Sequence, residues 1–174
     1  MRTRLWIVVG LVLLAVAIFG SRFYEVDVPL WHYFAGSSVG VDPLTLHLEG
    51  EFVESNLGVA EEPNQPLTVR LIAQQYLFVP QCVQVPAGVP VRFRVTSADV
   101  VHSLAISGTS FQLKAVPGAV NESQFTFPTP GEHAMPCHEF CGAGHYAMRA
   151  RVVVVPPDQF AKLKPGERES CAPR

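Results

Sequence analysis

The sequence is poor in charge, and neither sign predominates. Only 16% of its 174 residues are Asp, Glu, Lys or Arg, against about 25% in an average soluble protein. Thirteen basic residues stand against fifteen acidic ones, for a net charge of -2. Proteins that bind nucleic acid neutralise its phosphates with an excess of Lys and Arg. Nucleic acid is therefore not expected as a partner.

The chain also has few cysteines and only one long apolar run. Four cysteines are too few for a fold held together mainly by disulfides. A length of 174 residues accommodates one ordinary domain with a short appendage, which excludes a multi-domain enzyme. After residue 22, no apolar stretch is long enough to cross a membrane.

The apolar run covers residues 5–21 and contains no charge. As a helix it spans about 25 Å, slightly less than a hydrocarbon core of roughly 30 Å. Arg2 and Arg4 before it and Arg22 after it can reach the lipid headgroups. Positive residues at the N-terminus stay inside, so we predict a single-pass anchor in the cell membrane with the rest of the chain on the periplasmic or outer side.

A cleaved secretory signal is the alternative for this segment. Ala15 and Ala17 supply the small residues of a cleavage site. The apolar run continues through Ile18 and Phe19, past that site, which favours the anchor. Aromatic residues that favour the headgroup zone and would contact lipid follow at Phe23, Tyr24, Trp31 and Tyr33.

Composition divides the chain into four segments. They are a membrane anchor over residues 1–22, a tether and lead-in loop over 23–66, a folded domain over 67–156 and a tail over 157–174. Prolines and glycines make the second segment irregular. The tail is rich in proline and charge and has room for one short helix around residues 158–164.

Residues 67–156 show the pattern of short β-strands. Val91, Phe93 and Val95 alternate with Arg92 and Arg94, so one face of this strand is predicted to be buried. Similar segments, separated by glycine and proline turn signals, cover residues 67–71, 82–85, 100–106, 109–115, 121–127, 131–136 and 148–155. The domain is therefore predicted to be mainly β, a small antiparallel sandwich or barrel.

A dense group of metal-ligand side chains lies between the last two predicted strands. Cys137, Cys141, His145 and Met148 fall within twelve residues, and intervening glycines allow the tight folding that converging ligands need. His102 ends a short predicted strand, and loops at one end of a sandwich meet. We therefore predict that it joins the site from outside the loop.

Copper fits these side chains best, because thiolate and thioether groups are soft ligands. A tetrahedral zinc site of Cys137, Cys141, His102 and His145 stays open, although Met148 would add little to it. A disulfide between the two loop cysteines is another alternative, and it would leave the histidine and methionine without a role. A thioredoxin-like copper chaperone would need alternating helices and strands, which this sequence does not show.

The loop resembles the binuclear CuA motif of subunit II of haem-copper oxidases. That motif, Cys-x-Glu-x-Cys-Gly-x-x-His-x-x-Met, corresponds to residues 137–148. Similarity to cytochrome c oxidase subunit II extends over about residues 40–155, at positions 41–43, 49–50, 78–80, 85–88, 95–97, 99–102 and 129–132. A single N-terminal helix resembles the B-type branch of these oxidases.

The resemblance implies a cupredoxin-like Greek-key fold with a pair of copper ions. The implied ligands are His102, Cys137, Glu139, Cys141, His145 and Met148. The two cysteines would bridge both ions, and each histidine would bind one. The methionine and the backbone carbonyl of the glutamate would be weak axial ligands. In A-type relatives the glutamate carboxylate also binds a divalent ion, which the B-type resemblance does not favour here.

In this family the site accepts single electrons from cytochrome c or a small cupredoxin and passes them to haem in subunit I, where O2 is reduced. The resemblance thus implies an electron-transfer subunit of a cytochrome-c oxidase, with no catalytic residue in this chain. Tyr76 and Phe78 lie where family members carry aromatics near the electron-accepting patch. Packing in the core or at a sheet edge is an equal alternative for both.

Two other functions stay open. The CuA subunit of a nitric-oxide reductase would carry the same residues, because its chemistry lies in the partner subunit. A copper-storage or chaperone protein would release copper readily, whereas a closed glycine-rich loop with a full ligand set favours a retained metal.

The other histidines and cysteines have no place in the motif. We interpret His138 as a surface residue, and His32, His47 and His133 as ordinary polar positions. A disulfide between Cys82 and Cys171 would fasten the tail to the sheet in an oxidising compartment, but sequence gives no distance between them, so this stays open.

Overall fold

The computed structural model describes residues 6–7, 9–16, 40–169 and 171. Residues 6–7 and 9–16 of the predicted anchor are helical. The rest of the anchor and residues 23–39 of the predicted tether lie outside the described residues. Within the part of the chain that is described, no helix is both long enough and apolar enough to span a membrane.

From residue 40 onward, the described chain folds into two packed sheets and a hairpin. The strands are β1 (Gly58–Ala60), β2 (Leu67–Gln74), β3 (Leu77–Val79), β4 (Cys82–Pro86), β5 (Pro90–Ser97), β6 (His102–Ala105), β7 (Gln112–Ala115), β8 (Asn121–Thr126), β9 (Gly131–Pro136) and β10 (Arg149–Val155). The first sheet has the order β1-β2-β5-β8 with β3 beside β2, and the second has the order β4-β10-β9. β6 and β7 form the hairpin. Single helical turns cover Gly50–Phe52, Glu54–Asn56, His145–Ala147 and Pro157–Phe160.

Two strand pairs differ from the predicted antiparallel arrangement. β2 runs parallel to β5, and β4 runs parallel to β10. After β2 and β3 the chain crosses to the second sheet as β4, and it returns beside β2 in the original direction. Alternation of apolar and polar residues reveals which face of a strand is buried but not the direction of its neighbour. The mainly β prediction is correct, and the all-antiparallel pairing is wrong.

The core lies between the sheets. Val91, Phe93 and Val95 are buried as predicted. The ring of Phe93 packs against Phe111 with centroids 4.9 Å apart and lies edge-on to Phe127 at 6.4 Å. The side chains of Cys137, Cys141 and Met148 belong to this same buried cluster. The predicted metal loop is therefore anchored in the hydrophobic core.

β2 is buried on both faces, although its sequence alternates. Phe52 and Leu46 from the predicted lead-in loop pack with Ile72 on its outer face. β1, in the same segment, adds a strand beside β2. Residues 40–66 thus cover the first sheet, which the irregular composition of this segment did not indicate.

Charged side chains join this covering segment to the sheet. Arg94 donates to both carboxylate oxygens of Glu51, at 2.8 and 2.6 Å, and Arg70 donates to it at 3.4 Å. Arg70 also pairs with Glu62, and Arg94 with Glu122. Burial alone would raise the pKa of Glu51, but the hydrogen bonds and charges of the two arginines outweigh it and lower the pKa. The outer face of the sheet therefore carries a layer of paired charges, Arg70 and Arg94 with Glu51, Glu62 and Glu122, which we call the ionic layer.

The tail is fastened along the free edge of β4. Cys82 forms a disulfide with Cys171, with Cα atoms 6.0 Å apart, which answers the question that the sequence left open. The backbone N–H of Gln84 donates to the carbonyl of Arg168 at 2.7 Å, and its side chain donates to Glu167 at 2.8 Å. Because an edge strand exposes unpaired backbone groups, the tail protects β4 from pairing with another chain.

We expect Glu51→Gln to lower the free energy of unfolding by about 1–2 kcal/mol at pH 7, because the amide loses charge-assisted hydrogen bonds. The folded-state pKa of Glu51 is lowered from 4.5, so its stabilisation is present above about pH 4.5 and is lost as the pH falls through the lowered pKa. The difference between parent and variant, measured by urea unfolding of the full-length chain, should shrink below that pH.

Glu132→Gln is the matched control, since Glu132 forms an exposed ion pair with Arg151. It should change the free energy of unfolding by less than about 0.5 kcal/mol. A Glu51→Gln effect no larger than that of the control, or one that does not change with pH, would contradict this account of the ionic layer.

Candidate metal centre

The predicted metal loop joins β9 to β10 and is tied at its base. The backbone N–H of Cys137 donates to the carbonyl of Met148 at 3.0 Å, which closes the loop. The backbone N–H of His138 donates to Ser103 at 2.6 Å, and a β-bridge links Cys137 to Leu104. The loop is therefore fixed both to itself and to β6, the strand that carries His102.

Tyr76, in the turn between β2 and β3, packs on the glycines of this loop. A Cβ atom added to Gly142 would lie 2.6 Å from the Tyr76 hydroxyl, and one added to Gly144 would lie 2.5 Å from the ring. Gly142 also has φ +128, a value that side chains rarely allow. These two glycines let the loop backbone approach the tyrosine ring closely.

The loop brings its sulfur atoms together in the core. The Sγ atoms of Cys137 and Cys141 lie 3.9 Å apart, and both cysteines are free thiols, so the alternative of a disulfide between them is wrong. The Sδ atom of Met148 lies 3.7 Å from the sulfur of Cys141. The carbonyl of Glu139 accepts from the thiol of Cys137 at 3.3 Å.

The two histidines approach different sulfurs. Nδ1 of His102 lies 3.9 Å from the sulfur of Cys137, and Nδ1 of His145 lies 3.6 Å from the sulfur of Cys141. His102 is fully buried, and His145 is partly exposed. The structure thus gathers all of the predicted ligands around one pair of thiols.

His102 begins β6 instead of ending a strand, and Asp99 explains why. Its carboxylate accepts from the backbone N–H of Val100 at 2.6 Å and of Gln75 at 2.7 Å, which holds the chain before His102 in a turn. It also lies 2.7 Å from Nε2 of His102. The role of Asp99 was not predicted from the sequence. The available signal was an acidic residue three positions before a predicted histidine ligand.

The Asp99 carboxylate orients the imidazole of His102, with Nε2 toward Asp99 and Nδ1 toward the thiol of Cys137. Burial alone would raise the pKa of Asp99, but hydrogen bonds from His102 and from the backbone of Gln75 and Val100 hold it below its ordinary value. An ionised carboxylate accepts a hydrogen bond from Nε2–H, and the tautomer of the neutral imidazole that it favours has its free lone pair on Nδ1. That lone pair is on the side of Cys137.

The buried environment of the loop favours the protonated form of the Cys141 thiol. Burial and, to a lesser extent, the neighbouring Cys137 together raise the pKa of Cys141 to about 11. A metal binds the thiolate, so binding must release this proton. An ion with a strong preference for sulfur would displace this proton most readily.

The other residues considered from sequence have varied surroundings. His138 is exposed, and the Glu139 carboxylate pairs with Lys114 at 3.5 Å. Phe78 is fully buried in the core, whereas Tyr76 is 39% exposed. His47 and His133 are partly exposed, and His133 approaches the carbonyl of Ser107 at 3.0 Å; His32 lies outside the described residues.

The donor chemistry fits copper. Two thiols and a thioether are soft ligands, and together with two imidazoles and a backbone carbonyl they exceed the four ligands of an ordinary structural zinc site. A mainly β sandwich that carries such a set in its loops belongs to the cupredoxin-like class of copper-binding domains.

Comparison with known proteins identifies the family within this class. The family described as cytochrome c oxidase subunit II, periplasmic domain, matches residues 63–155. The chain is 33% identical to cytochrome c oxidase subunit 2 of Thermus thermophilus over 120 residues, which cover 69% of this chain and 89% of that protein. The chain therefore belongs to the cytochrome c oxidase subunit II family, whose members are part of an oxidoreductase complex.

Solved structures show the same fold. The periplasmic domain of subunit II of cytochrome oxidase from Bradyrhizobium japonicum aligns with a TM-score of 0.52 and 25% identity, covering 57% of this chain and 91% of that one. A chain from a haem-copper terminal oxidase dimer aligns with a TM-score of 0.52 and 27% identity, covering 84% of this chain and 96% of that one.

We expect the alkylation rate of Cys141 in the metal-free, full-length chain to keep rising up to about pH 11, because the thiolate is the reactive form. The measurement is the rate of labelling by iodoacetamide, followed for each cysteine by mass spectrometry. A plateau near pH 8.5, the value for an ordinary thiol, would contradict the raised pKa.

Proposed function

We propose that this chain is the electron-accepting subunit of a haem-copper oxidase. It takes single electrons from cytochrome c or a small cupredoxin at a binuclear CuA centre and passes them to haem in subunit I. The observation that carries the proposal is a pair of buried thiols 3.9 Å apart with a histidine against each sulfur. A copper pair bound by these residues would supply one-electron redox chemistry.

The arrangement favours two metal ions over one zinc. With bonds of about 2.0–2.3 Å, a tetrahedral zinc ion draws its four ligand atoms to within about 4 Å of one another. Among the described residues, the ligand atoms that meet within 4.8 Å are those of His102, Cys137 and Cys141. His145 lies outside that group, with its Nδ1 atom 3.6 Å from the sulfur of Cys141. Histidines that approach different sulfurs would suit two ions better than one.

The surroundings suit a site that changes charge without moving. His102 and Met148 are buried, and backbone hydrogen bonds fix the loop at Cys137 and His138. Groups held in this way keep their positions when an electron arrives, and the buried environment excludes water. Both conditions favour fast electron transfer, because little has to rearrange.

An apolar surface surrounds the site and suits a protein donor. Exposed side chains there are Tyr76, Val100, Val101, Phe140 and Tyr146. Phe140 is 80% exposed and Tyr146 is 85% exposed, and the Phe140 ring centroid lies 5.8 Å from that of His145. Large exposed apolar groups of this kind mark protein interaction sites. Of the two aromatics predicted for electron acceptance, Tyr76 belongs to this surface, whereas Phe78 is buried in the core.

The chain is anchored in the membrane and associates with another subunit of the oxidase. The uncharged run of residues 5–21, with Arg2 and Arg4 before it, supports a single-pass anchor and a domain on the periplasmic or outer side. This one apolar run is also the basis for assignment to the B-type branch. Subunit I is the expected neighbour, because one aligned structure is a haem-copper terminal oxidase.

The copper centre is tested on the full-length chain in detergent. Loaded with copper, it should bind two copper ions per chain and give an EPR signal split by two equivalent nuclei. His145→Asn should abolish that signal, because it removes an imidazole that approaches Cys141. His138→Asn, in the same loop but exposed, is the matched control and should leave the signal unchanged. One zinc ion, or a mononuclear blue spectrum, would overturn the proposal.

The docking surface is tested with Phe140→Ser in the copper-loaded chain. We expect the second-order rate of reduction by reduced cytochrome c to fall roughly tenfold, since an exposed aromatic anchor is lost. The EPR signal should not change. Leu48→Ser is the control, because Leu48 is 79% exposed but lies in the segment before β1. Equal rates for the two variants would show that donors bind elsewhere.

A further inference from the structure

Gln75 is not among the metal ligands, yet it contacts both halves of the centre. It follows the last residue of β2 and precedes Tyr76, which packs on the metal loop. Its backbone and its side chain make hydrogen bonds in two different directions. One leads to His102 and the other to Cys141.

The first contact runs through Asp99. The backbone N–H of Gln75 donates to Oδ2 of Asp99 at 2.7 Å. The other oxygen, Oδ1, lies 2.7 Å from Nε2 of His102. The carboxylate is therefore held between the β2–β3 turn and the imidazole, and its position sets the direction in which Nδ1 of His102 points.

The second contact reaches the loop directly. The Nε2 amide of Gln75 donates to the backbone carbonyl of Cys141 at 2.5 Å. Gly142, the next residue, lies under the Tyr76 hydroxyl, so the same turn holds two successive loop positions. The half of the site that contains Cys141 and His145 thus depends on the turn that also orients His102.

We propose that Gln75 is a positioning residue that couples the two halves of the metal centre, through Asp99 to His102 and through its own amide to the backbone of Cys141. The inference rests on the copper centre proposed above. Gln75 touches no ligand atom. Its effect is to fix the position of the His102 imidazole relative to the two thiols, so that the loop does not open and release metal.

The side chain of Gln75 has a specific chemical requirement. It must reach the carbonyl and donate a hydrogen bond, which a Gln amide does and a Met side chain of similar length does not. Gln75→Met keeps the backbone N–H that binds Asp99 and removes only the contact to Cys141. Gln74→Met is the matched control, because Gln74 pairs with Leu77 at the end of β2 and, among the described residues, its side chain makes no hydrogen bond to the metal loop.

The first experiment measures copper release from the copper-loaded, full-length chain to a chelator. We expect Gln75→Met to lose copper roughly tenfold faster than the parent, a typical effect of removing a hydrogen bond that orients a ligand. Its EPR hyperfine splitting and its reduction potential should shift as well. Gln74→Met should match the parent in all three measurements.

The second experiment needs no metal. Iodoacetamide labelling of Cys141 in the metal-free chain at one fixed pH should be several-fold faster in Gln75→Met than in Gln74→Met, because the loop opens more often. If the parent binds no copper pair, the proposed function fails, and this comparison still tests the coupling. If the parent binds the pair and the two variants agree in both experiments, the coupling by Gln75 is overturned.

Discussion

Two thiols held 3.9 Å apart in a hydrophobic core are the constraint on which the rest of this structure depends. Cys137 cannot move away from Cys141, because its backbone is hydrogen-bonded to Met148 and forms a β-bridge with Leu104. The burial that fixes the sulfurs also raises the pKa of Cys141, so a neutral thiol persists until a metal ion replaces its proton. The position of the sulfurs, their shielding from water and the raised pKa of Cys141 therefore have one cause, which is the packing of the loop on the core.

Parts of the chain remote from the loop stabilise the sheets that carry it. The ionic layer around Glu51 and Arg94 attaches residues 40–66 to the first sheet, and the Cys82–Cys171 disulfide attaches the tail to the second. Both attachments cover surfaces that a bare sandwich would expose, namely the outer face of β2 and the free edge of β4. A scaffold covered in this way gives the loops at the metal end a fixed base.

Much of the fold was accessible from sequence, and the failures have physical causes. Alternation at Val91, Phe93 and Val95 predicted a half-buried strand, because side chains in a strand point to opposite faces in turn. The same rule failed for β2, where Arg70 is buried by carboxylates from a segment that looks irregular. The parallel pairs were missed because alternation carries no information on strand direction. β1 and β3 were missed because three residues are too few to show a period.

The sequence by itself determined the chemistry of the site, because five of its six proposed ligands lie in residues 137–148. Their residue types and their spacing can be read from this one short segment. Only the tertiary structure decided how that chemistry is held. Asp99 and Gln75 act through hydrogen bonds to His102 and Cys141, and the Gln75 and Cys141 bond joins positions 66 residues apart. No local pattern encodes such contacts, since they exist only after β2, β6 and the metal loop have packed at the same end of the core.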